Sequence, residues 1–140
     1  MKSLASSLIV GLLATPLFAE TYEIGMYTRN DNGPMIYEPQ FLSIAPGDTV
    51  VFVSKQPGHN AATIDGMIPE GAQPFKSRLG EDFTVTLTEP GLYGIKCSPH
   101  YAMGMVMLIE VGEQTDRSLP EGLPNRARQR FESILEAAAK

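Results

Sequence analysis

Cysteine and histidine are scarce in this chain of 140 residues: there is one cysteine, Cys97, and there are two histidines, His59 and His100. A lone cysteine excludes a disulfide framework and an iron–sulfur cluster, each of which needs several thiols. An excess of basic charge is also missing. The net charge is −5, an acidic balance that argues against nucleic acid as a partner. With 43% hydrophobic and 19% charged residues the composition is that of one globular domain rather than a disordered chain. No internal repeat or low-complexity tract is visible.

Apolar runs long enough to span a bilayer are absent too. The one concentrated run, Leu8 to Leu13, is far shorter than the roughly 20 residues a crossing needs. It follows a positive start at Lys2 and precedes Pro16 and small residues up to Ala19, the layout of a secretory signal peptide. Residues 1–19 are therefore expected to be removed near the Ala19–Glu20 bond. Leu17 is bulkier than usual for its place before that bond, which leaves room for a shifted cut. Removal takes away Lys2 and leaves 10 basic side chains against 16 acidic, a net −6. Residues 20–140 are expected to form a single domain outside the cytoplasm, in the periplasm, with no membrane span. In that oxidising setting a lone thiol is a liability unless it is buried, paired with another chain or bound to a metal.

The expected domain is rich in strands. Thr21 to Met26 and Phe41 to Ile44 read as strands, the second closed by the turn Ala45-Pro46-Gly47-Asp48. Thr49 to Ser54 is a β-branched and aromatic run, as in a strand buried on both faces. Phe83 to Thr88 alternates apolar with Thr, as in a strand with one wet face. Leu92 to Cys97 and Met105 to Val111 complete the set. Short strands punctuated by Pro and Gly predict an all-β sandwich. The irregular stretch between Ser54 and Phe83 reads as a long connection across one end of it. Beyond Pro124, the helical spacing of Ala127, Phe131, Ile134, Leu135 and Ala138 predicts an α-helix of about four turns packed on the sandwich. The segment 115–140 is thus expected to be a mainly helical tail.

The chemistry concentrates in Cys97-Ser98-Pro99-His100-Tyr101-Ala102-Met103-Gly104-Met105 and, upstream, Gly58-His59-Asn60. The sole cysteine, both histidines and nearby methionines fall in two strand-end segments, which one pole of a sandwich can bring together. Thiolate and thioether are soft ligands that favour Cu(I), and imidazole serves both copper oxidation states; a His₂Cys set with a weak axial Met is the blue-copper arrangement. Zinc could occupy the nitrogen and thiolate donors, although structural zinc sites rarely recruit Met.

The pattern Cys-x-x-His-x-x-x-x-Met with an upstream Gly-His-Asn resembles the cupredoxins. Ala45-Pro46-Gly47-Asp48-Thr49-Val50, Gly66-Met67-Ile68-Pro69, Pro90-Gly91-Leu92-Tyr93-Gly94 and the helical tail are similar to the pseudoazurin branch of that family. The likeness spans the whole expected mature chain, apart from the Pro-broken Thr115 to Gly122. It implies a cupredoxin-like Greek-key sandwich with a C-terminal helical extension. It also implies one type 1 copper ion cycling between Cu(I) and Cu(II), with His59, Cys97 and His100 as equatorial ligands and Met105 as the axial one. Met103 lies off the family spacing. Asn60 matches the residue that ties the two ligand segments together near the sulfur, and Met35 falls where the family covers the exposed histidine ring.

The function implied is electron transport by a monomer, not an enzyme: with four protein ligands no coordination position is left for a substrate. His100, beside Pro99, Ala102 and Gly104, is the expected electron port, and Lys76, Arg78 and Lys96, with Arg29 and Lys55 as further candidates, are the expected docking charges. By resemblance the donor is a c-type cytochrome or similar protein and the acceptor is copper nitrite reductase or another periplasmic reductase. A periplasmic copper chaperone or store and a metal-free structural sandwich are the alternatives, separable by copper titration.

Overall fold

The structure, a computed structural model, describes residues 17–140; most of the expected signal segment lies outside the described residues. Eight strands and one helix follow in order: β1 Thr21–Asn30, β2 Gly33–Glu38, β3 Phe41–Ile44, β4 Asp48–Ser54, β5 Ala62–Thr63, β6 Phe83–Leu87, β7 Gly91–Lys96, β8 Val106–Val111 and α1 Asn125–Ala138. Two four-stranded sheets form, in the orders β2-β1-β4-β6 and β3-β8-β7-β5. The pairs β1–β4 and β3–β8 are parallel and the other ladders antiparallel.

The main core lies between the sheets. Ile24, Met26, Val50, Phe52, Tyr93, Ile95, Met107, Ile109 and Val111 are buried together there, one alternating set from each strand. The other set of β8, Val106 and Leu108, faces outward and meets Ala127, Phe131 and Ile134 of α1. Every residue of β8 is therefore buried, and the helical tail covers one sheet as its periodicity predicts. Only Asn125–Ala138 of the tail is helical; Thr115 to Gly122 contains no helix or strand. The side chain of Arg117 fixes that segment by a two-pronged contact with buried Glu110, at 2.8 and 3.1 Å.

Two expectations need correction, and one strand goes unread. β4 is buried on one face only: Asp48, Val50 and Phe52 are buried while Thr49, Val51 and Val53 are half-buried. The outer face of its sheet meets water, where the Thr49 and Thr86 hydroxyls pair at 2.7 Å. β1 runs on past Met26 to Asn30, because the hairpin with β2 extends it. β2 itself escapes a sequence reading, since Gly33 and Pro34 look like a turn. Pro34 is accommodated because β2 is an edge strand, where a missing N–H leaves no ladder bond unmade.

This topology assembles one pole. Lys96 at the end of β7 pairs with both Ala62 at the start of β5 and Val106 at the start of β8. The segments that flank these pairs, His59–Asn60 and Cys97–Met105, are thereby brought side by side.

Candidate metal centre

Cys97 leaves β7 with extended backbone and leads a 3₁₀ segment, Ser98–Met103, with Pro99 in its first turn. Proline suits that turn because its missing N–H is one the turn would leave unpaired. Gly104 ends the segment at φ +87°, and a Cβ there would fall 2.9 Å from the Arg126 carbonyl oxygen. Glycine is thus required by the turn and by the close approach of α1. The loop is closed internally: the His100 N–H donates to the Cys97 carbonyl at 3.1 Å, the Met105 N–H to the His100 carbonyl at 3.2 Å, and the Cys97 N–H to the Met105 carbonyl at 3.0 Å.

Three donor atoms converge. The Cys97 sulfur lies 3.7 Å from Nδ1 of His59 and 3.4 Å from Nδ1 of His100, and the two nitrogens are 3.1 Å apart. Donors held ~2.0–2.3 Å from a common first-row ion stand roughly 3–4 Å from one another, so the three fit one metal ion. Cys97 and His59 are fully buried and His100 is half-buried.

The electrostatics suit ligation. Burial, and then the neighbouring His100 ring, lower the pKa of His59 and favour the neutral imidazole that can bind a metal. Burial pushes the Cys97 thiol up, an effect that the neighbouring main-chain amides of Asn60 and His100 oppose only in part. Desolvation wins, so thiolate in this pocket calls for a cation, and a coordinated ion deprotonates it.

The two segments are lashed by Asn60. Its Oδ1 accepts the Ser98 N–H at 2.7 Å, and its Nδ2 donates to the Ser98 Oγ and to the Ser77 carbonyl, both at 3.1 Å. The Tyr37 hydroxyl donates to the Asn60 carbonyl at 2.6 Å. His59 is held from two further sides, by Gly80 N–H on its carbonyl at 2.9 Å and by Thr28 Oγ1, 2.8 Å from Nε2. A hydroxyl at Nε2 fixes ring orientation and leaves Nδ1 free for a ligand. Thr28, Ser77 and Tyr37 carry no signal in the sequence.

The comparisons agree with this geometry. Residues 24–112 match the copper binding proteins of the plastocyanin/azurin family. A pseudoazurin of Paracoccus pantotrophus is 44% identical over 126 residues, covering 88% of this chain and 87% of that one. The pseudoazurin structure from Methylobacterium extorquens superposes with a TM-score of 0.77 at 33% identity, covering 86% of this chain and 99% of that one. The chain belongs to the copper-binding plastocyanin/azurin family, in its pseudoazurin branch. It is a blue-copper electron carrier, and copper is its cofactor.

The two methionines of the loop, Met105 and Met103, are sharply separated by burial. Met105 is fully buried in the same cluster as Cys97, whereas Met103 is 45% exposed. Met35 is half-buried against that cluster. Lys76 and Arg78 line one shallow depression with Leu79, Ser98 and Pro99, and Lys76 and Lys96 line a second with Asp65. Lys96 also lies over the Tyr101 ring at 4.9 Å. Lys55 is paired with Glu23 at 2.9 Å and is not a free docking charge.

Proposed function

We propose that this chain is a periplasmic single-electron relay, exported by its first 19 residues, in which His59, Cys97, His100 and Met105 would hold the copper. The observation that carries the assignment is the convergence of the Cys97 sulfur and two imidazole nitrogens at separations of 3.1 to 3.7 Å. Bound copper supplies a one-electron couple between Cu(I) and Cu(II). The protein's part is to hold the donors still, so that little rearranges as charge changes. The Asn60 lash and the closed Cys97–Met105 loop do this. The main-chain amides of Asn60 and His100 beside the cysteine favour its thiolate, and such outer interactions tune the potential.

His100 is the port for electrons. Its half-buried ring lies on a loop whose Pro99, Ala102 and Met103 are exposed, with Leu79 also at the surface. Such a small apolar patch suits a brief redox encounter. Lys76, Arg78 and Lys96 give this face a positive rim, although the chain is acidic overall. An acidic partner is thus the complementary one, and copper nitrite reductase, or another periplasmic reductase, is the acceptor we assign. A c-type cytochrome or similar protein is the donor.

The deciding test is a visible spectrum of the purified protein after addition of Cu(II). An intense thiolate-to-copper band that bleaches with ascorbate and returns on oxidation is expected, with rapid electron transfer to nitrite reductase. A protein that takes up copper without the band and hands it to other copper proteins would instead be a chaperone.

A further inference from the structure

One side chain of α1 reaches the hairpin that borders the metal centre. Arg130 is half-buried and forms no ion pair among the described residues. Its guanidinium donates instead to three uncharged oxygens: Nη1 to the Met35 carbonyl at 3.4 Å and to Gln40 Oε1 at 3.2 Å, and Nη2 to the Pro34 carbonyl at 3.2 Å. Taking a cation partly out of water without an anion is costly, and charge-assisted bonds to carbonyls offset that cost. Burial accordingly lowers the pKa of this guanidinium. Two consecutive main-chain carbonyls of an edge strand are thus gripped by one planar fork.

The gripped backbone is strained. Met35 has φ +47°, which places a residue with a Cβ in the left-handed region. Such a conformation persists only where its surroundings enforce it. The register that pairs Tyr27 with Ile36 and Arg29 with Pro34 sets Thr28 across from Met35. On its other side, Thr28 donates its N–H to Gln56 Oε1 at 2.6 Å, as Arg29 does at 3.0 Å. Thr28 is therefore framed by the strained Met35 and by Gln56, and its hydroxyl meets His59 Nε2 at 2.8 Å.

We propose that Arg130 is a positioning residue for the metal centre: by holding the Pro34 and Met35 carbonyls it fixes the strand opposite Thr28, and with it the hydroxyl that orients His59. The inference rests on His59 being a ligand. A lysine at 130 would keep the charge but lose the planar fork whose two nitrogens span the Pro34 carbonyl on one side and the Met35 and Gln40 oxygens on the other.

The test compares wild type, Arg130→Met, Arg130→Lys, Thr28→Val and the double variant Arg130→Met with Thr28→Val. Copper release to a chelator, the melting temperature and, in the apo-protein, the His59 tautomer by long-range ¹⁵N correlation are measured. Thr28→Val is expected to speed copper release about 10- to 100-fold, the usual scale for losing such an outer partner. Arg130→Met should speed it about three- to tenfold, being one step further removed, and Arg130→Lys should not restore it. The double variant should be no worse than Thr28→Val, because the effects share one route. Apo wild type should hold its proton on Nε2, and apo Arg130→Met should show a mixture. If Arg130→Met lowers the melting temperature but leaves release and tautomer unchanged, or if the effects add in the double variant, Arg130 merely anchors the helix and the proposal fails. Should wild type take up no copper, the functional assignment fails, and the apo tautomer still judges the Arg130 route separately.

Discussion

His59 and His100 offer the same ring nitrogen to the same sulfur, yet they sit in unlike surroundings. His59 is fully buried, with Thr28 at Nε2, Gly80 on its carbonyl and the Asn60 lash beginning at the next residue. His100 rides on a short 3₁₀ segment between exposed Pro99 and exposed Ala102, and its ring is half open. An electron carrier needs both conditions at once: a fixed donor that prevents rearrangement and a donor whose edge a partner can approach. The fold supplies them by drawing one histidine from a buried connection just before β5 and the other from a surface loop.

The largest expected effect tests this asymmetry directly. His59→Gly and His100→Gly should each abolish the thiolate-to-copper band in wild-type buffer. Added imidazole should restore the band in His100→Gly, whose gap opens to solvent, and not in His59→Gly, whose gap is enclosed. Absorbance titrations with imidazole measure both. Equal rescue of the two would mean that burial does not separate them.

The two methionines of the loop extend the comparison. Met105→Gln places an oxygen donor in the buried position and should favour Cu(II), lowering the potential by at least about 59 mV, a tenfold change for a one-electron couple. Met103→Leu alters an exposed side chain and should leave the potential where it is. Cyclic voltammetry of the pair decides. A shift in Met103→Leu with none in Met105→Gln would reverse the axial assignment.

How far such features can be read in advance depends on whether they leave a pattern along the chain. Phe83–Leu87 alternates and β8 is apolar except at Glu110, so both strands and the helix stripe Ala127–Phe131–Ile134 are legible from their patterns. The candidate ligands stand out because the sole cysteine and the two histidines fall in two short segments. β2 does not, since an edge strand tolerates the Gly33 and Pro34 that signal a turn elsewhere, and β5 is too short at Ala62–Thr63 to leave a pattern. The one-sided burial of β4 is hidden because Val51 and Val53 are apolar even on the wet face. Thr28 is invisible for a different reason. A threonine in a strand is ordinary, and only the fold reveals the histidine beside its hydroxyl.

A middle-sized effect concerns the lash that keeps the two histidines in register. Asn60→Ala removes bonds to the Ser98 N–H, the Ser98 hydroxyl and the Ser77 carbonyl. Stranding these groups in the interior should cost about 1–3 kcal/mol of stability. Chemical denaturation of the apo-protein reads that loss with no contribution from metal. The copper form should show a displaced band rather than none, because all the donors remain.

The smallest effect belongs to the open side alone. Lys76, Arg78 and Lys96 are peripheral to the donors, so replacing each by Gln should leave the band and the potential unaltered and change stability by less than about 0.5 kcal/mol. What should change is encounter. Exposed charges steer a partner over distances of about 10 Å at 0.1 M salt and are screened beyond that. The second-order rate of electron transfer to an acidic reductase should therefore fall steeply with ionic strength in wild type. It should start lower and vary less in the triple variant, and the two should converge at high salt. Stopped-flow mixing across a salt series measures this. A flat response in wild type would mean that the apolar ground around His100 carries the docking by itself. The positive rim would then be ordinary solvated charge, balanced by Asp65 and the nearby acids Glu81 and Asp82.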